Sequence, residues 1–151
     1  MKQQSFINSY IATADIHADR LEYALNVVSN FLPITPDKLS NLPKHDLAFL
    51  DMLTTRFSKL QDVIGSKIFP LILVSLSEDV PTANIDKFNL LEKLGYIDSA
   101  AWWISLREIR NQITHDYPDD YDLIAINMTA MLPKVKELLT YWQQLKSKLK
   151  F

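Results

Sequence analysis

The stretch Trp102-Trp103-Ile-Ser-Leu-Arg107-Glu-Ile-Arg110-Asn111-Gln-Ile-Thr114-His115-Asp116-Tyr117-Pro118 decides how this chain folds. Trp102, Leu106, Ile109 and Ile113 follow steps of four, three and four, a spacing that gathers them into one apolar stripe only on an α-helix. A second stripe on the same spacing holds Trp103, Arg107, Arg110, Thr114 and Tyr117, so one flank of a buried seam carries two arginines, a hydroxyl and a phenol. Pro118 disfavours helical geometry at Tyr117, which predicts a helix end near His115. At the other end, Asp98 or Ser99 is suited to cap the start, and Gly95 to close the preceding helix in a left-handed conformation.

Working outward, the same period recurs. Ile7, Ile11, Ala14, Ala18, Leu21, Leu25 and Val28 predict a first helix over roughly residues 3–31, ended by Pro33 and Pro36. The ITPDKLSNLPK stretch that follows is expected to be loop. A second helix is predicted from His45 or Asp46, carrying Leu47, Leu50, Leu53, Phe57, Leu60, Ile64 and Ile68, with a kink or break at Pro70. The polar SEDVPTAN run reads as a second loop, and a short third helix is expected over Ile85 to Leu94. The fourth helix carries the opening stretch. A fifth begins after Asp119 or Asp120 and runs toward Lys148, with a kink expected at Pro133. The chain thus reads as an all-α single domain over residues 1–151, a bundle of about five helices.

Composition agrees. The chain has 151 residues, 48% hydrophobic and 23% charged, with a formal net charge of −2. These values fit one globular domain and exclude a disordered chain. The absence of cysteine excludes a disulfide scaffold, a zinc ribbon and an iron–sulfur protein. Two glycines in the whole sequence argue against hairpins, a dinucleotide fingerprint and a P-loop. The N-terminal MKQQSFINSY lacks the apolar stretch of a signal peptide, so a cytoplasmic location is expected. The most apolar run, Ile68 to Val74, contains Pro70 and is far short of the roughly 20 residues a membrane span needs, so no membrane partner is expected. A near-neutral charge gives no general attraction to nucleic acid, and any such contact requires a local basic site. Residues 134–151 hold Lys134, Lys136, Lys146, Lys148 and Lys150 against Glu137 alone; they read either as a solvated lysine face or as a contribution to RNA attraction.

Chemistry concentrates at the end of the fourth helix. His115 follows Arg110 by five residues, about 7.5 Å along an ideal helix axis but rotated by about 140°, an offset that a helix end and a long arginine side chain can close. Arginine clamps phosphate oxygens through its fork, and histidine moves protons near neutral pH, so the pair suits a phosphodiester. His17 and His45 lie in distant segments without partners at metal-ligand spacing, which predicts chemistry without a metal or other cofactor. The bland reading of Arg110 is an ion pair with Glu108, Asp116 or Asp119. Arg56, Gln61 and Asp62 on the second helix read either as groups that face the fourth helix and position Arg110, or as an ordinary polar face. Trp102, Trp103 and Trp142 read as core or interface anchors.

The run RNQITHDY from Arg110 to Tyr117, preceded by a GYID turn and an AWW helix, resembles the R-x4-H-x-Y motif of the HEPN superfamily, in particular short bacterial members paired with a minimal nucleotidyltransferase. That resemblance implies a dimeric, metal-independent endoribonuclease acting as the toxin of a toxin–antitoxin pair. It implies catalytic roles for Arg110 and His115, with Asn111 as the polar residue that often follows the arginine, and Tyr117 as the side chain to which the partner enzyme attaches AMP. Arg107 and Asp116 are expected in support. One chain offers one suitable histidine, whereas cutting RNA through its 2′-hydroxyl calls for a base and an acid, so a two-fold homodimer would supply the missing group. The alternative is a non-catalytic module that binds a nucleotide, or holds a substrate for a partner nucleotidyltransferase.

Overall fold

Four long helices form the frame of the computed structural model, which describes residues 2–77, 79–114 and 120–149. They are α1 (Lys2–Val28), α3 (Lys44–Val63), α6 (Ala100–Thr114) and α7 (Tyr121–Lys148), joined by the shorter α2 (Pro36–Asn41), α4 (Phe69–Leu76) and α5 (Asn84–Lys93). α1 packs against α3 and α7, and α6 packs against the same two, so the four close into a ring around a common core. α5 lies against α6 and α4, while α2 braces α7. No helix among the described residues is long and apolar enough to cross a membrane.

The stripe read along α1 turns inward as expected: Ile7, Ala14, Ala18, Leu21, Leu25 and Val28 are buried. Alanines at 14, 18 and 24 keep that face thin, which lets α3 approach closely along its length. Leu50, Leu53, Phe57 and Leu60 fill the facing side of α3. Where α1 and α3 meet near their polar edge, Arg56 Nη1 donates to His17 Nδ1 at 2.9 Å, which fixes the imidazole as the neutral acceptor. Burial, followed by the neighbouring Arg56, Lys59 and Arg20, lowers the His17 pKa below its ordinary value of 6.5.

An unfolded chain therefore binds a proton at His17 more readily than the folded one. The stabilising contribution is present above about pH 6.5 and is lost as pH falls from there through the lower folded value. His17→Gln keeps an acceptor for Arg56 but does not titrate. Melting temperature should therefore fall more for the wild type than for this variant between about pH 7.5 and 5.5. Equal slopes for the two proteins would show that His17 is not the group responsible.

Two expectations are corrected. The ITPDKLSNLPK stretch is not loop throughout, because Thr35 accepts a hydrogen bond from the Lys38 amide at 3.2 Å and Pro36 occupies the first helical turn, which together start α2. The second predicted helix is two, α3 and α4, separated by a π-helical turn over Ile64–Ile68 that ends just before Pro70. The Phe69 amide reaches back five residues to the Ile64 carbonyl, and Pro70, which has no amide hydrogen to donate, begins the new helix without breaking the chain's course. Seven α-helical segments among the described residues thus replace the five predicted.

The turn that aims α6 is tied down from several sides. Gly95 adopts φ +84°, its amide donates to the Glu92 carbonyl at 3.0 Å, and the Tyr96 amide donates to the Leu91 carbonyl at 2.9 Å, a doubly bonded helix end that needs the left-handed glycine. Ser99 Oγ accepts from the Trp102 amide and Glu92 accepts from the Ala100 amide at 2.8 Å, satisfying the first orphan donors of α6. From α7, Tyr141 donates its hydroxyl to the Tyr96 carbonyl and Lys148 donates to the Gly95 carbonyl. Burial beside Asp98 pushes the Tyr141 phenol well above its usual range, so it remains a donor. Asp120 caps α7 by accepting from the Leu123 amide, and α7 runs unbroken through Pro133.

Candidate functional site

α6 sits over the π-helical turn, and the contact is made by Trp103. Its indole is fully buried, 4.7 Å from the Phe69 ring and 6.0 Å from Tyr141 between centroids. A Cβ at Gly65 would lie 3.2 Å from Trp103 Cζ2, a tight contact that would push the ring by a few tenths of an ångström. Glycine at that position lets the indole reach the wide turn. Trp102, expected in the core stripe, is only partly buried and packs edge-on to Tyr141 at 5.1 Å; the tryptophan of the second stripe is the deeper one. Leu106 is fully buried as expected, whereas Ile109 and Ile113 pack on the core's edge.

Below Trp103, Arg107 and Arg110 of the second stripe line a cleft of about 390 Å³ enclosed by the end of α3, the π-helical turn, α4, α5 and α6. Arg107, Arg110 and Asn111 enter from α6, Lys87 and Phe88 from α5, and Asp62 from α3. Arg110 donates through Nε to Asp62 Oδ1 at 3.0 Å and through Nη2 to Asp62 Oδ2 at 2.8 Å, a two-bond fork across 48 residues of sequence. These bonds raise the guanidinium pKa further above its ordinary value. Both side chains are about a third or more exposed, at 31% and 44%, so the pair adds little to stability and serves mainly to fix the direction of the arginine. Arg107 instead lays its guanidinium over the Phe88 ring, 5.3 Å from the centroid.

Among the three residues read as a positioning group, Asp62 holds Arg110, Arg56 turns away to His17, and Gln61 is buried at the cleft wall. Of the three carboxylates expected as partners in the bland reading of Arg110, Glu108 is not its partner among the described residues, and the ion pair is made with Asp62 instead. His115, Asp116 and Tyr117, and with them the remaining expected partner Asp119, lie outside the described residues. Sequence reading missed Gly65, Ser66, Asn84, Lys87 and Phe88 as neighbours of the site. Gly65 carried a signal, being one of two glycines and standing inside a helical pattern. Three of the C-terminal lysines are engaged in the fold: Lys146 with Asp15 at 2.7 Å, Lys148 with the Gly95 carbonyl and Lys134 with Glu137.

No family model matches the chain, and neither a curated protein nor a solved structure matches it.

Proposed function

We propose that the chain is a metal-independent endoribonuclease of the HEPN type, working as a homodimer and serving as the toxin of a pair whose cognate minimal nucleotidyltransferase silences it by attaching AMP to Tyr117. The observation that carries this reading is the Arg110–Asp62 fork. It holds a guanidinium in a set direction at the edge of a concave, polar site, five residues before His115. Arg110 then stabilises negative charge on the crowded phosphorane, assisted by Arg107 and Asn111. His115 of one protomer takes the proton of the 2′-hydroxyl as its oxygen attacks phosphorus. The bond from phosphorus to the 5′-oxygen breaks, and His115 of the other protomer gives that oxygen a proton. The products are a 2′,3′-cyclic phosphate and a 5′-hydroxyl. Asp116 orients the neighbouring histidine.

The test is cleavage of a mixed RNA pool by the purified chain, shown by intact mass to be unmodified, in excess EDTA and beside His115→Ala. Cleavage by the wild type alone, leaving cyclic phosphate ends, is the expected result. Cleavage that persists unchanged in His115→Ala removes the histidine from the mechanism. The cleft itself favours a second reading, a non-catalytic subunit that holds a nucleotide or a substrate for the nucleotidyltransferase. It is preferred if neither protein cuts RNA at concentrations that support dimerisation.

A further inference from the structure

The cleft is electropositive in a chain that is not. Lys87, Arg107 and Arg110 line it against Asp62 alone, a surplus of two positive charges among the described residues, whereas the whole chain carries −2. The surplus is also uncompensated. Asp62 is consumed by Arg110, and neither Lys87 nor Arg107 meets a carboxylate among the described residues. Two cations lining one concavity make its potential positive and favour a bound anion.

The walls specify the rest of the occupant. Phe69, Leu73, Phe88 and Leu91 back the cleft with ring and methyl edges, each side chain at most 6% exposed, and Ser66 and Asn84 add hydroxyl and amide groups. At the inner wall, Gln61 is 4% exposed and its side chain makes no hydrogen bond among the described residues, while the Trp103 indole nitrogen is fully buried without an acceptor. Native proteins rarely leave a buried donor such as that indole nitrogen unsatisfied. The volume falls at the small end of ligand pockets, enough for a compact molecule.

We propose that this cleft binds a small phosphate monoester with an apolar or aromatic body, its doubly charged phosphate held by Lys87 and Arg107 and its body against Phe69 and Phe88. A terminal phosphate carries close to two negative charges at neutral pH, matching the surplus, whereas a phosphodiester carries one. The proposal rests on the second reading above, for which it names a ligand class, and it is tested separately from the nuclease reading because its readout involves no RNA.

The probe is phenyl phosphate, added to the full chain and followed by the indole N–H signals of the three tryptophans, with Trp103→Phe assigning the one that matters. A saturable shift of the Trp103 signal is expected, with binding roughly tenfold weaker in Lys87→Gln and in Arg107→Gln, the loss of one charge-assisted bond. Both substituted side chains are partly exposed, so the variants fold, which their remaining indole signals verify. Phenyl phosphate is expected to bind more tightly than inorganic phosphate, and more tightly at pH 7.5 than below the second phosphate pKa near 6. Three results overturn the proposal: no saturable shift up to roughly 10 mM, undiminished binding when both cations are replaced, or inorganic phosphate binding as tightly as the ester.

Discussion

Alanine at Arg110 is expected to lower RNA cleavage by roughly two to three orders of magnitude with little change in melting temperature. The size follows from removing one preorganised charge aimed at the transition state, which costs about 10²–10³ in rate. The small effect on stability follows from the exposure of the pair, since surface ion pairs contribute at most about 1 kcal/mol. Asp62→Asn divides the roles further. Asparagine accepts one bond from the guanidinium but cannot complete the fork, so Arg110 keeps its charge and loses its fixed direction. Activity should then drop by less than in Arg110→Ala, mainly in kcat. Wild-type cleavage by Arg110→Ala would remove the arginine from the reaction, and a binding subunit would instead lose ligand affinity on Arg110→Ala while tolerating His115→Ala.

The largest loss of stability is expected at Trp142. Its indole is fully buried on α7, and its Nε1 donates to Asp15 Oδ1 at 2.9 Å while Lys146 donates to the other oxygen at 2.7 Å. Trp142→Ala removes a large side chain from the α1–α7 seam and leaves Asp15 short of one donor, a cost of about 3–5 kcal/mol and a fall in melting temperature of about 10 °C. Trp142→Phe retains most of the packing and loses the charge-assisted bond, about 1.5–3 kcal/mol. Chemical denaturation of the three proteins checks both values. If phenylalanine costs as much as alanine, the hydrogen bond and not the packing dominates the seam.

Several helix boundaries were legible from a cap or breaker in the sequence. Gly95, Ser99 and Asp120 sit where their chemistry places them, and the α1 stripe from Ile7 to Val28 faces the core as its spacing requires. α2 was missed because three prolines within eleven residues outweighed the Thr35-Pro36-Asp37 start signal that lay among them. The site was legible on one side only. Arg107, Arg110 and Asn111 share a helix, and their common face follows from spacing alone. Their counterparts on α3 and α5 do not, because which of Arg56, Gln61 and Asp62 meets α6 depends on how two helices pack, and no period within either helix encodes that. Adjacent tryptophans posed the same difficulty. Trp102 and Trp103 both fit an apolar edge, and the room that accommodates the deeper one is left by Gly65, thirty-eight residues away.

The wide turn at Ile64–Ile68 also explains an arithmetic oddity in the apolar pattern. From Leu60 the buried positions run 64, 68 and 72, three steps of four in succession. On a regular helix each such step overshoots a full turn by about 40°, so Ile72 would arrive some 120° out of phase and α4 would present its side to solvent. The π-helical turn takes up that excess, and α3 and α4 behave as one helix whose phase is reset once, at Gly65. Chain length through this segment is therefore a coded quantity. Deleting one residue between Ile64 and Ile68 leaves eleven residue steps from Leu60 to Ile72, three turns plus about 20° on a regular helix, so the wide turn can close into α-helix with Ile72 still facing the core, whereas inserting one there rotates everything downstream by about 100° and turns that face out.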